Sequence, residues 1–174
     1  MDLKIAGQVA LVTGSTAGIG RAVAERFLRE GATVIINGRT SDRVAATVNE
    51  LRPLASKPDS VRGIAADLGT AADADRLIRT LPEVDILINN VGKYEPVPFE
   101  QITDEQWLDM FNANVLSGIR LSRHYLPPML KSNRGRIIFV SSESGLSTPS
   151  EMIHYGLGWA NRWPSPAISC CLTK

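Results

Sequence analysis

Short apolar runs recur along the chain, separated by segments of helical period. The runs are Val9-Ala10-Leu11-Val12, Val34-Ile35-Ile36, a weaker stretch from Val61 to Ala66, Asp85-Ile86-Leu87-Ile88 and Ile137-Ile138-Phe139-Val140. None alternates with polar residues, so each is expected to be a strand covered on both faces. In the first intervening segment Ile19, Val23 and Phe27 repeat every four residues, and Glu30-Gly31 supplies a stop. Ser41 is placed to cap a second helix carrying Val44, Val48 and Leu51, which Pro53 breaks. Thr70 is placed to cap a third, with Leu77, Ile78 and Leu81. Thr103 and Gln106 read as a capping box for a longer fourth helix, through Trp107, Phe111, Val115 and Ile119 to Pro127. Strands alternating with helices over short loops predict an α/β fold, a doubly wound parallel sheet with right-handed crossovers.

Composition narrows the class. A chain of 174 residues is long enough for one domain with a core that needs no metal or disulfide staple. Nineteen Lys and Arg stand against eighteen Asp and Glu, a net charge of +1, which argues against nucleic acid and against a polybasic membrane anchor. The apolar runs fall far short of the roughly 20 residues of a membrane span. Met1 to Gln8 has no apolar signal core, so a cytoplasmic protein is expected. Cys170 and Cys171 are adjacent and imply neither a metal site nor a disulfide framework. His124 and His154 lack a carboxylate or Cys at ligand spacing and read as structural or solvent-facing. Trp107, Phe111, Tyr94 and Tyr125 read as packing residues, and Glu143 and Ser144 as pocket lining or simply a polar loop.

Thr13-Gly14-Ser15-Thr16-Ala17-Gly18-Ile19-Gly20 joins the first strand to the first helix. Gly14 permits a tight turn of positive φ. Gly18 leaves the main chain bare where a pyrophosphate would approach, and Gly20 lets helix and strand pack closely. The helix tip offers unpaired N–H groups to anionic phosphates. Without a Lys-Ser/Thr ending the loop does not suit a nucleoside triphosphatase.

This segment resembles the cofactor loop of the short-chain dehydrogenases/reductases. Asp67-Leu68, Asn89-Asn90-Val91-Gly92 and Asn112-Ala113-Asn114-Val115 match the same family in order. Residues 5 to about 156 are covered, with most likeness to the 3-oxoacyl-carrier-protein-reductase-like branch. The resemblance implies a Rossmann-type three-layer sandwich, strand order 3-2-1-4-5, incomplete at its C-terminal end and forming a single domain over residues 1–174. It implies that Asp67 holds the adenine amine, with Leu68 beside it. Asn90, Val91 and Gly92 flank the adenine ribose, and Ser15, Thr16 and Ile19 belong to the phosphate loop.

The cofactor choice turns on Ile36-Asn37-Gly38-Arg39-Thr40. Gly38 stands where NAD-preferring relatives carry an acid, and the Arg39 guanidinium can fork onto a 2′-phosphate. NADP(H) is therefore expected, with NAD the alternative and a solvated loop charge the plain reading of Arg39.

In the family a Ser and a Tyr thirteen residues apart act on a carbonyl or secondary alcohol of a small substrate, as Ser142 and Tyr155 are spaced here. The resemblance makes Tyr155 the general acid/base, Ser142 the carbonyl orienter and Asn114 a relay residue. A free phenol titrates near 10, so the family supplies a Lys four residues after the Tyr. Here that residue is Trp159, which cannot carry a charge, and Lys93 is the only nearby cation weighed as a substitute.

Trp163-Pro164-Ser165-Pro166 follows where the family has a helix interior. One choice of codons, read a base earlier, returns a family-like Leu-Ala-Ile-Ser-Arg from this stretch. A frame error across residues 157–171 and genuine divergence are the two explanations. The chain is expected to lack the substrate lid and last strands, leaving the fifth strand as an apolar edge. Severe impairment follows on the oxidoreductase reading. The rivals are a non-catalytic dinucleotide-binding module and a non-functional fragment. The family's homo-oligomers assemble partly through the helix altered here, so assembly is expected to suffer.

Overall fold

The structure is a computed structural model that describes residues 2–160 and 168–170. Its strands are β1 (Val9–Val12), β2 (Thr33–Gly38), β3 (Val61–Ala65), β4 (Ile86–Asn89), β5 (Arg136–Phe139) and β6 (Ile168–Cys170). The helices are α1 (Gly18–Arg29), α2 (Ser41–Leu51), α3 (Ala71–Thr80), α4 (Asp104–Phe111), α5 (Ser117–Ser132) and α6 (Ile153–Ala160). The sheet order is β3-β2-β1-β4-β5-β6, parallel from β3 through β5.

Side-chain alternation along the central strands builds two cores. Ala10 and Val12, Val34 and Ile36, and Ile86 and Ile88 face one layer with Ala24, Leu28, Val44 and Val48. Leu11, Ile35 and Leu87 face the other with Leu77, Leu121, Tyr125 and Met129. Both faces being apolar is why these strands read as unbroken hydrophobic runs. Full burial of residues such as Leu11 and Leu87 contributes roughly 1.5–3 kcal/mol each.

The expected order 3-2-1-4-5 is present, and an antiparallel β6 extends the sheet past β5. It pairs Phe139 with Ile168, Ile138 with Ser169 and Ile137 with Cys170, so the edge of β5 is covered there. The Trp163-Pro164-Ser165-Pro166 stretch and Cys171 to Lys174 lie outside the described residues.

Local structure departs from the periodic reading at four places. In α1 the buried positions are Gly20, Ala24 and Leu28, while Ile19 is 63% exposed. The inward stripe is thus one residue later than the Ile19-Val23-Phe27 repeat. Helix α2 starts at Ser41 itself, with Thr40 at the N-cap and no side-chain cap bond. The fourth helix is two helices joined by a π turn at Asn112–Leu116, which turns Met110 and Val115 inward and leaves Phe111 42% exposed. Nor does it stop at Pro127. Helix α5 runs on to Ser132, because Leu121, Tyr125 and Met129 face the core while Pro127 and Pro128 lie on the water-facing side. Carbonyls freed by the prolines can be hydrated there. Asn133, at φ 49°, ends the helix.

The expected caps at Thr70 and Thr103 are present. Thr70 Oγ1 accepts from the Asp73 N–H at 3.2 Å, and Thr103 and Gln106 form the full capping box. Among the described residues, no helix is long and apolar enough to cross a membrane.

Tyr125 is fully buried and donates its hydroxyl to the Leu81 carbonyl at 2.7 Å, tying α5 to the end of α3. Burial pushes its phenol pKa well above the ordinary range. Tyr125→Phe is expected to cost about 1–2 kcal/mol, since it orphans a carbonyl. A urea titration comparing midpoints at unchanged slope checks this.

Candidate active site

The carboxyl ends of β1, β2 and β4 meet at a set of buried polar side chains. Thr13 Oγ1 donates to the Ile88 carbonyl at 3.1 Å and accepts the N–H groups of Asn90 (2.8 Å) and Val91 (3.1 Å). Asn90 Nδ2 donates to the Thr13 carbonyl (2.9 Å) and the Gly14 carbonyl (3.1 Å). Asn37 Oδ1 accepts the Gly14 N–H at 3.2 Å, and its Nδ2 reaches the Ile64 and Ala66 carbonyls at 3.1 and 3.2 Å. Ser15 Oγ donates to the Val12 carbonyl (2.7 Å) and accepts the Asn37 N–H (3.0 Å). Strand ends that run out of ladder partners are thus closed by side chains. Asn37 and Thr13 were not singled out from sequence; both sit at strand termini that had been read only for cofactor contacts.

The loop between β1 and α1 follows from this framework. Gly14 has φ +60° and Gly18 φ +57°, so both use the glycine-favoured region. A Cβ on Gly20 would collide with the Asn90 amide and lie 2.7 Å from the Gly14 carbonyl, so the helix start and β1 pack as expected. Ala17 at the N-cap gives α1 no side-chain cap, and a Cβ on Gly18 would meet open space. A helix tip with uncapped amides and bare main chain is suited to an anion.

Beside this tip lies a cleft of about 920 Å³. Of the residues expected at a cofactor, Gly14, Thr16, Arg39, Asp67, Leu68, Asn90, Val91 and Gly92 line it. Ser15 is buried in the strand framework, Gly18, Ile19 and Gly20 stand off the cleft walls, and Tyr155, Ser142 and Asn114 are not on them. Arg43, in the first turn of α2, joins Arg39 on the wall. A Cβ on Gly38 would lie 2.6 Å from Thr16 Cγ2, so a larger side chain there would require Thr16 to turn aside. Arg120 of α5 also escaped sequence reading. It donates to the Leu68 and Gly69 carbonyls (3.3 and 3.2 Å) and to Asn112 Oδ1 (2.9 Å), holding the loop that carries Asp67. Asp73 accepts the Asp67 N–H at 2.7 Å, and that bond holds the Asp73 carboxyl below the usual carboxylate range.

Asn114 is fully buried in the π turn. Its Oδ1 accepts the Lys93 N–H at 2.6 Å, and its Nδ2 donates to the Lys93 carbonyl at 2.8 Å and to Met110 Sδ at 3.1 Å. Its side chain therefore clamps the chain just after β4. The Lys93 ammonium pairs with Asp109 and lies 3.7 Å from Glu95. The Asp109 bond raises its pKa above the ordinary lysine value, so this cation is already engaged.

Ser142 Oγ accepts the Ser144 N–H at 3.2 Å. The 143–148 loop packs on α6 at Gly156, where a Cβ would sit 2.8 Å from the Ser144 carbonyl. Glu143 is exposed and Ser144 buried, and neither lines the cleft. Half-buried Tyr155 meets Tyr94 edge-on at 6.5 Å and Trp159 at 5.7 Å. Tyr94, read from sequence as packing, is instead 71% exposed and lines the cleft. Trp159 is 6% exposed, with Cζ2 3.6 Å from where a Cβ on Gly92 would stand.

The chain matches the family model for short chain dehydrogenases over residues 8–157 and belongs to that family of oxidoreductases. It is 45% identical over 156 residues to an uncharacterized oxidoreductase of Bacillus subtilis (strain 168), YvaG, covering 89% of this chain and 58% of that protein. It is 31% identical to the 3-oxoacyl-[acyl-carrier-protein] reductase FabG of Aquifex aeolicus (strain VF5), covering 89% and 63%. Among solved structures, L-sorbose reductase from Gluconobacter frateurii, complexed with NADPH and L-sorbose, superposes with a TM-score of 0.84 at 30% identity, covering 92% of this chain and 62% of that one. The chain thus spans about three-fifths of the length of these relatives.

Bare main chain, an uncapped helix tip and two guanidiniums suit an adenosine with its phosphates. Toward Tyr155 the indole of Trp159 stands over Gly92.

His154, next to Tyr155, is 1% exposed and packs edge-on to Trp107 at 5.7 Å. Among the described residues neither of its ring nitrogens has a hydrogen-bond partner. Burial pushes its pKa below the ordinary 6.5, with Glu95 acting upward and Lys93 downward. The folded state therefore resists a proton that the unfolded chain takes up. Stability present above pH 6.5 should decline as the pH falls from there toward the depressed folded value. Thermal unfolding between neutral and mildly acidic pH should show this loss, and His154→Gln should flatten that part of the slope.

Proposed function

We propose that this chain descends from, and retains the cofactor cleft of, an NADP(H)-dependent enzyme interconverting a carbonyl and a secondary alcohol on a small molecule. The single observation that carries the cofactor choice is the wall formed by Gly38, Arg39 and Arg43. A ribose-binding acid at position 38 would have to displace the Thr16 side chain, while two guanidiniums on the wall suit a 2′-phosphate. NADPH in the L-sorbose reductase complex supports this choice. In that reading Tyr155 is the proton donor and acceptor, Ser142 orients the substrate oxygen, and Asn114 belongs to the relay while fixing the main chain at Lys93. Gly14, Ser15, Thr16, Gly18, Ile19 and Gly20 form the phosphate loop, and Asp67, Leu68, Asn90, Val91 and Gly92 bound the adenosine.

The same reading makes this chain a poor catalyst. Tyr155 has an indole one helical turn on, where an ammonium would stabilise the phenolate, and Lys93 is held by Asp109. A non-catalytic dinucleotide-binding module is the second reading, favoured by that same indole contact.

Arg39→Asp should weaken NADP+ binding by roughly tenfold or more, about 1.4 kcal/mol, with NAD+ unchanged or tighter. Calorimetric titration of both dinucleotides decides it, and unchanged NADP+ affinity overturns the assignment. NADPH oxidation with simple ketones should run at least about 100-fold below ordinary members of the family. Trp159→Lys alone should not recover it, because position 159 is buried. Ordinary turnover with Trp159 intact would refute the impairment.

A further inference from the structure

We infer that this chain binds the adenosine-diphosphate half of a nicotinamide dinucleotide while Trp159 denies the nicotinamide ring its place. This rests on the dinucleotide reading of the cleft and goes beyond it in naming which part of the ligand is recognised.

The first ground is where the cleft ends. Its walls run from Gly14 and Arg39 past Asp67 and Asn90 to Lys93 and Tyr94, then along α4. Tyr155 and Ser142 are not on them.

The second ground is how the intervening space is filled. Helix α6 packs tightly on the 143–148 loop at Gly156, where a Cβ would overlap the Thr148 side chain, while a Cβ on Gly158 would stand at an ordinary 4.0 Å from Asn114 Cβ. The Trp159 indole lies beside Gly92, its Cζ2 3.6 Å from where a Cβ on Gly92 would stand. The ring is 6% exposed and lies edge-on to Tyr155 at 5.7 Å. The space between Gly92 and Tyr155 is thus occupied by an indole. A ligand entering beside the α1 tip therefore finds phosphate and adenosine contacts, and next to Gly92 it meets that indole.

The test compares each whole dinucleotide with the same molecule lacking nicotinamide, by calorimetry on the intact chain. The pairs are NADP+ with 2′-phospho-ADP-ribose and NAD+ with ADP-ribose, so the result does not depend on the 2′-phosphate. The inference expects the tighter pair to agree within about fivefold, and NADPH to bind without the blue-shifted, enhanced emission of an enclosed dihydronicotinamide. A whole dinucleotide more than about fivefold tighter than its truncated partner, or enhanced NADPH emission, overturns it while leaving the dinucleotide reading intact. Binding by neither member of either pair overturns the dinucleotide reading and this inference with it. Trp159→Ala should tighten NADP+ by about fivefold or more and leave 2′-phospho-ADP-ribose unchanged. Equal effects on both would remove Trp159 from the explanation, and the wild-type comparison stands even if the variant does not fold.

Discussion

The carboxyl edge of a parallel sheet poses a problem that this molecule solves with three side chains. At that edge the ladder stops, yet the strand ends remain covered by helices on both sides, so their N–H and C=O groups cannot all turn to water. Thr13, Asn37 and Asn90 close the gap between β1, β2 and β4. Each bonds main chain on a neighbouring strand or loop, and the Gly14 amide and carbonyl are both held this way. The loop's shape, the helix start at Gly18 and the open cleft beside it all inherit their positions from this network. An apolar residue at position 37 or 90 would leave several buried groups unpaired at once.

Much of this could be read from the chain because local preferences and the global fold agree. Continuous apolar runs arise from strands covered on two sides, and Thr70 and Thr103 announce helix starts through side chains that bond the first turn. The turn at Gly14 is visible because only one residue type uses that conformation freely. Where the reading failed, the deciding contact was distant in sequence. The inward face of α1 is set by how closely Gly20 meets Asn90, 70 positions on, and not by its largest residues. The π turn at Asn112–Leu116 brings Asn114 onto the main chain of Lys93, and no periodic pattern predicts an extra residue in a helical turn. Continuation of α5 past two prolines depends on which face they occupy, which only packing settles.

The candidate site was legible in the same uneven way. Residues whose chemistry is carried by the main chain, such as the glycines, declare themselves by spacing. Arg43 and Arg120 do not, since a surface arginine looks the same in sequence whether or not it faces a cleft or holds a loop. Tyr94 was misjudged for the converse reason. An aromatic residue is expected to be covered, and here the loop after β4 turns it outward over the cleft.

Position 159 shows how packing and chemistry compete for one place. A buried ammonium there would need compensating partners to offset its lost hydration. The surroundings now offer an aromatic ring, a bare glycine and the back of a helix, which reward apolar contact. Burying an indole contributes through its large area and the edge-on contact with Tyr155, so α6 gains stability from Trp159. Gly156, where a Cβ would overlap Thr148, lets α6 sit close to the 143–148 loop. Tyr155 thus meets Trp159 on one side and Tyr94, which lines the cleft, on another. The indole that anchors the helix therefore also sets the surroundings of its tyrosine.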